Sequence, residues 1–111
     1  MRVWYFVRDL GAGRAFYTGK LGFSETYVDE DDRWAKLERG AMQIALAEGE
    51  PQEDGGVATV DVDDVKAEGE RLRADDVDVG TVLELHGEVR LLDVFDPDGN
   101  RLQLVEDVSG R

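Results

Sequence analysis

An internal repeat limits this chain more than any other feature. Residues 2–8 are rich in aromatic and β-branched side chains and lead into Val7-Arg8-Asp9-Leu10; at an offset of 55 residues, residues 57–62 lead into Val62-Asp63-Asp64-Val65. Each run has the composition of a strand, and each is followed by an aspartate suited to capping a helix. Asp9 is predicted to cap a helix with Ala15, Phe16, Leu21 and Phe23 as buried candidates, kept short by Gly11 and Gly13. Asp63 or Asp64 caps a second helix, which carries Val65, Ala67 and Leu72 toward the core. Strands are predicted over 23–28, 33–38 and 41–47 in the first half, and over 77–85, 89–95 and 101–105 in the second. The fold class is therefore α+β, a tandem of two βαβββ modules. The modules occupy about residues 1–48 and 57–106 of one domain spanning 1–111, with the polar, breaker-rich segment 49–56 as linker. A single unit leaves one sheet face bare. Two units curve their mixed sheets around a concave cleft, where a small ligand would bind.

Charge narrows the partners. There are 26 acidic and 13 basic residues, a formal charge of −13, and only three of the bases are lysines. Such a surface repels nucleic acid and anionic lipid. It also resembles proteins of salt-loving cytoplasms, where high ionic strength screens self-repulsion. The absence of cysteine excludes disulfides, thiolate metal sites and cysteine nucleophiles. No apolar run has the length of a membrane span and the first residues lack a signal peptide's pattern, so the expectation is a cytoplasmic protein.

Residues 95–104 combine a strongly specified turn with a strand. Pro97 presets φ, Asp96 and Asp98 can accept from nearby amides, and Gly99 tolerates positive φ. Asp96, Asp98 and Asn100 read as turn formers. With this turn, the Val7-Arg8-Asp9-Leu10 start and the run Ala15-Phe16-Tyr17-Thr18-Gly19-Lys20-Leu21-Gly22-Phe23, nearly the whole chain resembles the vicinal oxygen chelate superfamily. That group includes glyoxalase I, extradiol dioxygenases and the bleomycin and fosfomycin resistance proteins.

The resemblance implies where a metal would be held: one ligand, commonly His, early in the first strand of each half, and another, commonly Glu, in the last. Those positions fall on Arg2, Ala45, Val57 and Gln103. A cation, two donorless side chains and one neutral amide do not make a divalent-metal site, so no metal and no cofactor are expected. Strand alternation then names the ligand-facing residues: Arg2, Trp4 and Phe6; Gln43; Thr59 and Asp61; Arg101 and Gln103. Val3, Tyr5 and Val7 would pack under the helices. Arg2 would be available to pair with a carboxylate or phosphate. The bland reading stands beside this one: Trp4 and Phe6 could fill a core or an interface, and Trp34 could be wall or edge. Glu84, His86 and Glu88 alternate, but His86-Gly87 reads as a turn rather than a metal-ligand row. Gly11-Ala12-Gly13-Arg14 lacks the spacing of a phosphate loop.

The expected function is that of a metal-independent binder of a small organic molecule, with no catalytic residue assigned. The resemblance also implies a homodimer. Two other classes stay open. One is an enzyme: a lyase, isomerase or dioxygenase with unconventional metal ligands, or an acid/base catalyst using Asp61 or His86. The other is a regulatory or interaction subunit.

Overall fold

The computed structural model describes residues 2–51 and 57–109, with the backbone alone at Arg2. The first module runs β1 (Arg2–Val7), α1 (Leu10–Gly19), β2 (Ser24–Asp29), β3 (Trp34–Arg39) and β4 (Met42–Glu48). The second runs β5 (Ala58–Asp61), α2 (Val65–Ala74), β6 (Asp78–Val79), β7 (Leu83–Leu85), β8 (Val89–Phe95) and β9 (Arg101–Asp107). The predicted linker, 49–56, lies largely outside the described residues.

The two sheets share one topology. Sheet one has the order β1-β4-β3-β2 and sheet two β5-β9-β8-β6, with β7 also on β8. In each, the first strand lies parallel to the last, and the other pairings are antiparallel. The helix between first and second strand supplies the crossover that a parallel pair needs. The α+β expectation of two βαβββ modules is met.

One strand prediction fails. Residues 77–85 form two short strands, because the chain leaves the ladder at residues 80–82, after Gly80 N–H has bonded to the Asp93 carbonyl at 2.9 Å. Glycine has no side chain to hold it on a pleated surface. The turn at His86-Gly87 forms as predicted: both have positive φ, 54° and 67°, and Glu88 N–H bonds to the Leu85 carbonyl at 2.9 Å.

The helix faces also need correction. Asp9 and Asp64 are the N-caps, accepting from Ala12 N–H at 3.0 Å and Ala67 N–H at 3.1 Å. Leu10, Gly13 and Tyr17 are the buried residues of α1, and Val65, Gly69 and Leu72 those of α2. Ala15 and Ala67 are exposed and Phe16 is partly buried. At about 100° per residue, Ala67 stands on the far side of α2 from Val65, and Ala15 is likewise turned away from Leu10. The helical glycines have a packing reason. A β-carbon at Gly13 would lie 3.1 Å from Val7 Cγ2, and one at Gly69 would lie 2.9 Å from Leu92 Cδ2. They let each helix approach its own sheet closely.

A single hydrophobic cluster draws on both modules. Val3, Tyr5 and Val7 face it as predicted, with Ile44 and Leu46 of β4 and Leu102 and Leu104 of β9. Buried and partly buried hydrogen bonds join the halves. Tyr5 Oη donates to the Arg101 carbonyl and accepts from Ala58 N–H at 2.9 Å. Tyr17 Oη donates to Asp96 Oδ2 at 2.8 Å, and Asn100 Nδ2 donates to the Phe6 carbonyl at 2.9 Å.

Candidate functional site

Each sheet buries one face under its helix and leaves the other open. On sheet one the register places Trp4 opposite Ala45, Phe6 opposite Ala47, Lys36 opposite Ala45, Trp34 opposite Ala47 and Tyr27 opposite Lys36. These side chains share the open face. Because β4 offers only alanines there, the rings from β1 and β3 lean over it and meet. The Trp4 and Trp34 centroids are 5.6 Å apart, and Tyr27 continues the row at 5.1 Å from Trp34. Ala45 is fully buried, yet Trp4 remains 47% and Tyr27 48% exposed. The result is an aromatic platform with an apolar floor. Lys36 Nζ stands 5.8 Å from the Tyr27 ring centre and 5.6 Å from that of Trp34. Gln43 Nε2 donates to Glu38 at the platform's far end.

The open face of sheet two is more polar. Gln103 Nε2 donates to Asp93 Oδ1 at 3.2 Å, and Arg101 Nη1 lies 3.6 Å from Asp93 Oδ2. Thr59 and Asp61 are exposed on β5 and also line a concavity of about 330 Å³ shared with Arg39 and Met42. Beyond Arg39 a groove of about 480 Å³ runs along the start of α2, but both of its guanidinium groups, Arg39 and Arg71, are paired with Glu68. Burial works to raise the Glu68 pKa, and Arg71 and Arg39 together outweigh it and hold the carboxyl below its usual range. That groove offers no unpaired cation to a ligand.

The residues named from sequence thus separate into two sets. Trp4, Phe6 and Gln43 lie on sheet one, and Arg2 is paired by backbone register with Gln43. Thr59, Asp61, Arg101 and Gln103 lie on sheet two. Trp34, left open between wall and edge, belongs to the platform. Three participants were missed: Tyr27, Lys36 and Asp93. Alternation from Trp34 reaches Lys36, and alternation from Phe95 reaches Asp93, so a signal existed for both. For Tyr27 it did not, because a register shift between Glu25 and Tyr27 breaks the period of two.

Metal chemistry can be tested on the donor set. Ala45 is fully buried and has no donor atom, Val57 has none, and the Gln103 amide is engaged with Asp93. Among the described residues no group of three or more His, Cys, Asp or Glu could hold a metal ion. Glu84 pairs with Arg90 at 3.0 Å, away from any such grouping with His86. The described residues at these positions do not fit a divalent metal.

A family model described as the Glyoxalase/Bleomycin resistance protein/Dioxygenase superfamily matches residues 2–104. Among curated proteins none matches the sequence. Several solved structures share the fold. An integron cassette protein, HFX_CASS4, from the mobile metagenome of the Halifax Harbour sewage outfall superposes with a TM-score of 0.84 at 22% identity, covering 96% of each chain. Lactoylglutathione lyase from Agrobacterium tumefaciens gives 0.77 at 18% identity, covering 96% of this chain and 91% of that one. The bleomycin resistance determinant encoded on transposon Tn5 gives 0.76 at 18% identity, covering 96% of both.

Proposed function

The chain belongs to the Glyoxalase/Bleomycin resistance protein/Dioxygenase superfamily, and from that membership we propose that it binds a small, flat organic molecule without a metal, on the aromatic face of sheet one. One observation carries the reading: Ala45, where metal-using members commonly place a carboxylate ligand, lies fully buried between Trp4 and Lys36. Rings stand where metal chemistry would need a donor. Exposed aromatic surface of this kind supplies stacking area and apolar contact, which suits recognition more than bond-making. Among the structural neighbours, the name of the Tn5 protein ties it to resistance to an organic drug, and a ligand of that general kind fits this face.

Phe6 and Gln43 extend the binding face, and Thr59, Asp61, Arg101 and Gln103 form a polar second wall. A homodimer completes the reading, since Leu83 and Leu85 are exposed on β7 and call for cover. Sedimentation at micromolar concentration checks the dimer. The main test is metal content after dialysis and after incubation with excess nickel, zinc, manganese or ferrous iron. The expected stoichiometry is near zero throughout, with aromatic compounds still quenching tryptophan fluorescence. A tight stoichiometric metal would overturn the proposal in favour of an enzyme.

A further inference from the structure

Resting on the aromatic face as a binding surface, we propose that its ligand is a planar aromatic molecule bearing an anionic group, a carboxylate above all, stacked on Trp4, Trp34 and Tyr27 with the anion against Lys36. Charge pairing decides the class. With 26 acids to 13 bases, most cations among the described residues stand beside a carboxylate, as Arg14, Arg33, Arg39 and Arg90 do, while Arg73 reaches only the Gly80 carbonyl. Lys36 makes no ion pair among the described residues. Its contacts are the two rings, which attract the ammonium without neutralising it.

Glu38 and Asp29 share this face, and neither forms an ion pair with Lys36. Glu38 accepts from Gln43, and Asp29 Oδ1 accepts from Asp32 N–H at 3.0 Å. Lys36 is therefore a positive point on an apolar surface within an otherwise negative molecule. A flat ring gains stacking area on the exposed parts of Trp4 and Tyr27, and a carboxylate on its edge gains a charge-assisted hydrogen bond. A cationic ligand would meet like charge at the place where the rings are exposed. The repulsive field of the acidic surface is screened over about 8 Å at physiological ionic strength, whereas carboxylate and ammonium meet at contact.

The chain has only two tryptophans, Trp4 and Trp34, so the two indole N–H resonances of isotope-labelled protein report on this face alone. Three probes of one shape separate the possibilities: naphthoate, neutral naphthamide and naphthylmethylammonium, titrated at physiological ionic strength. Both indole signals are expected to move, with naphthoate binding roughly fivefold tighter than naphthamide, the scale of one exposed ion pair, and the ammonium compound weakest. Lys36→Met should bring naphthoate down to the naphthamide level, and Lys36→Arg should retain the preference. If naphthamide or naphthylmethylammonium binds as well as naphthoate, or Lys36→Met leaves the preference intact, the anionic class is overturned and the aromatic face stands. If none of the probes moves either indole signal, the binding surface itself is overturned.

Discussion

Asp96 is a buried carboxyl residue that accepts four hydrogen bonds. Its Oδ1 accepts from the N–H groups of Asp98 and Asn100, both at 2.9 Å, and its Oδ2 accepts from Asn100 Nδ2 and the Tyr17 hydroxyl. The first two bonds build the turn, with Gly99 at φ +85° closing it. The last reaches into the other module. Burial foremost, and then the neighbouring Asp96, push the Tyr17 phenol far above its ordinary pKa, so it stays a donor. Tyr5 is pushed up to about 12, again by burial, and its hydroxyl serves the backbone on both sides. Tyr17→Phe keeps the ring and removes one donor to a buried carboxylate. The expected loss is about 1.5–3 kcal/mol, read as a lower urea midpoint at unchanged m-value. A midpoint shift within error would mean that the Asp96–Tyr17 bond does not hold the modules together.

At the scale of elements, the repeat goes deeper than the strand order. Each module's last strand carries a glutamate near its end, Glu48 as the last residue of β4 and Glu106 as the last but one of β9, that reaches the first residue of its own helix. Glu48 Oε2 accepts from Leu10 N–H at 3.1 Å, and Glu106 Oε1 accepts from Val65 N–H at 2.8 Å. Each glutamate is also met by an arginine, Arg33 through two hydrogen bonds to Glu48 and Arg90 at 3.6 Å from Glu106. With the aspartate N-caps, these satisfy donors that a helix start leaves open, at the end that favours negative charge. The hydrogen bonds from Arg33, and then that from Leu10 N–H, hold the Glu48 carboxyl below its usual pKa; Arg14 does the same at Glu25. A carboxyl depressed in the folded state leaves the unfolded chain to take up the proton first. These groups therefore stabilise fully above about pH 5, and the contribution is lost as pH falls through and below the ordinary carboxylate value of about 4.3. The urea midpoint should drop between pH 5 and pH 3. Glu48→Gln, which keeps an acceptor for Leu10, should flatten that slope; an unchanged slope would exclude Glu48 as a contributor.

At the scale of the whole molecule, the −13 charge is spread over runs such as residues 29–32 and Asp75, Asp76 and Asp78, where like charges repel in dilute buffer. Molar salt contracts the screening length to about 3 Å. The melting temperature should rise from dilute buffer to molar potassium chloride, by roughly 4–8 °C for each kcal/mol of repulsion relieved. A flat curve would show an acidic surface that is merely well solvated. Sequence alone determined the order of elements apart from the break within residues 77–85, the Asp9 cap, a second cap narrowed to Asp63 or Asp64, and the positions of the 86–87 and 96–100 turns, because each rests on neighbours along the chain: alternation, an acid before a helix, a glycine where φ is positive. Taken with the family resemblance, it also pointed to four positions, Arg2, Ala45, Val57 and Gln103, whose side chains do not make a divalent-metal site. Only the tertiary structure decided what stands there instead. The Trp4–Trp34–Tyr27 row depends on β4 lying between β1 and β3 and offering alanine to both, and on a register shift that turns Tyr27 onto the same face. Those are relations between strands distant in sequence, and no local pattern encodes which side chains a pairing brings together.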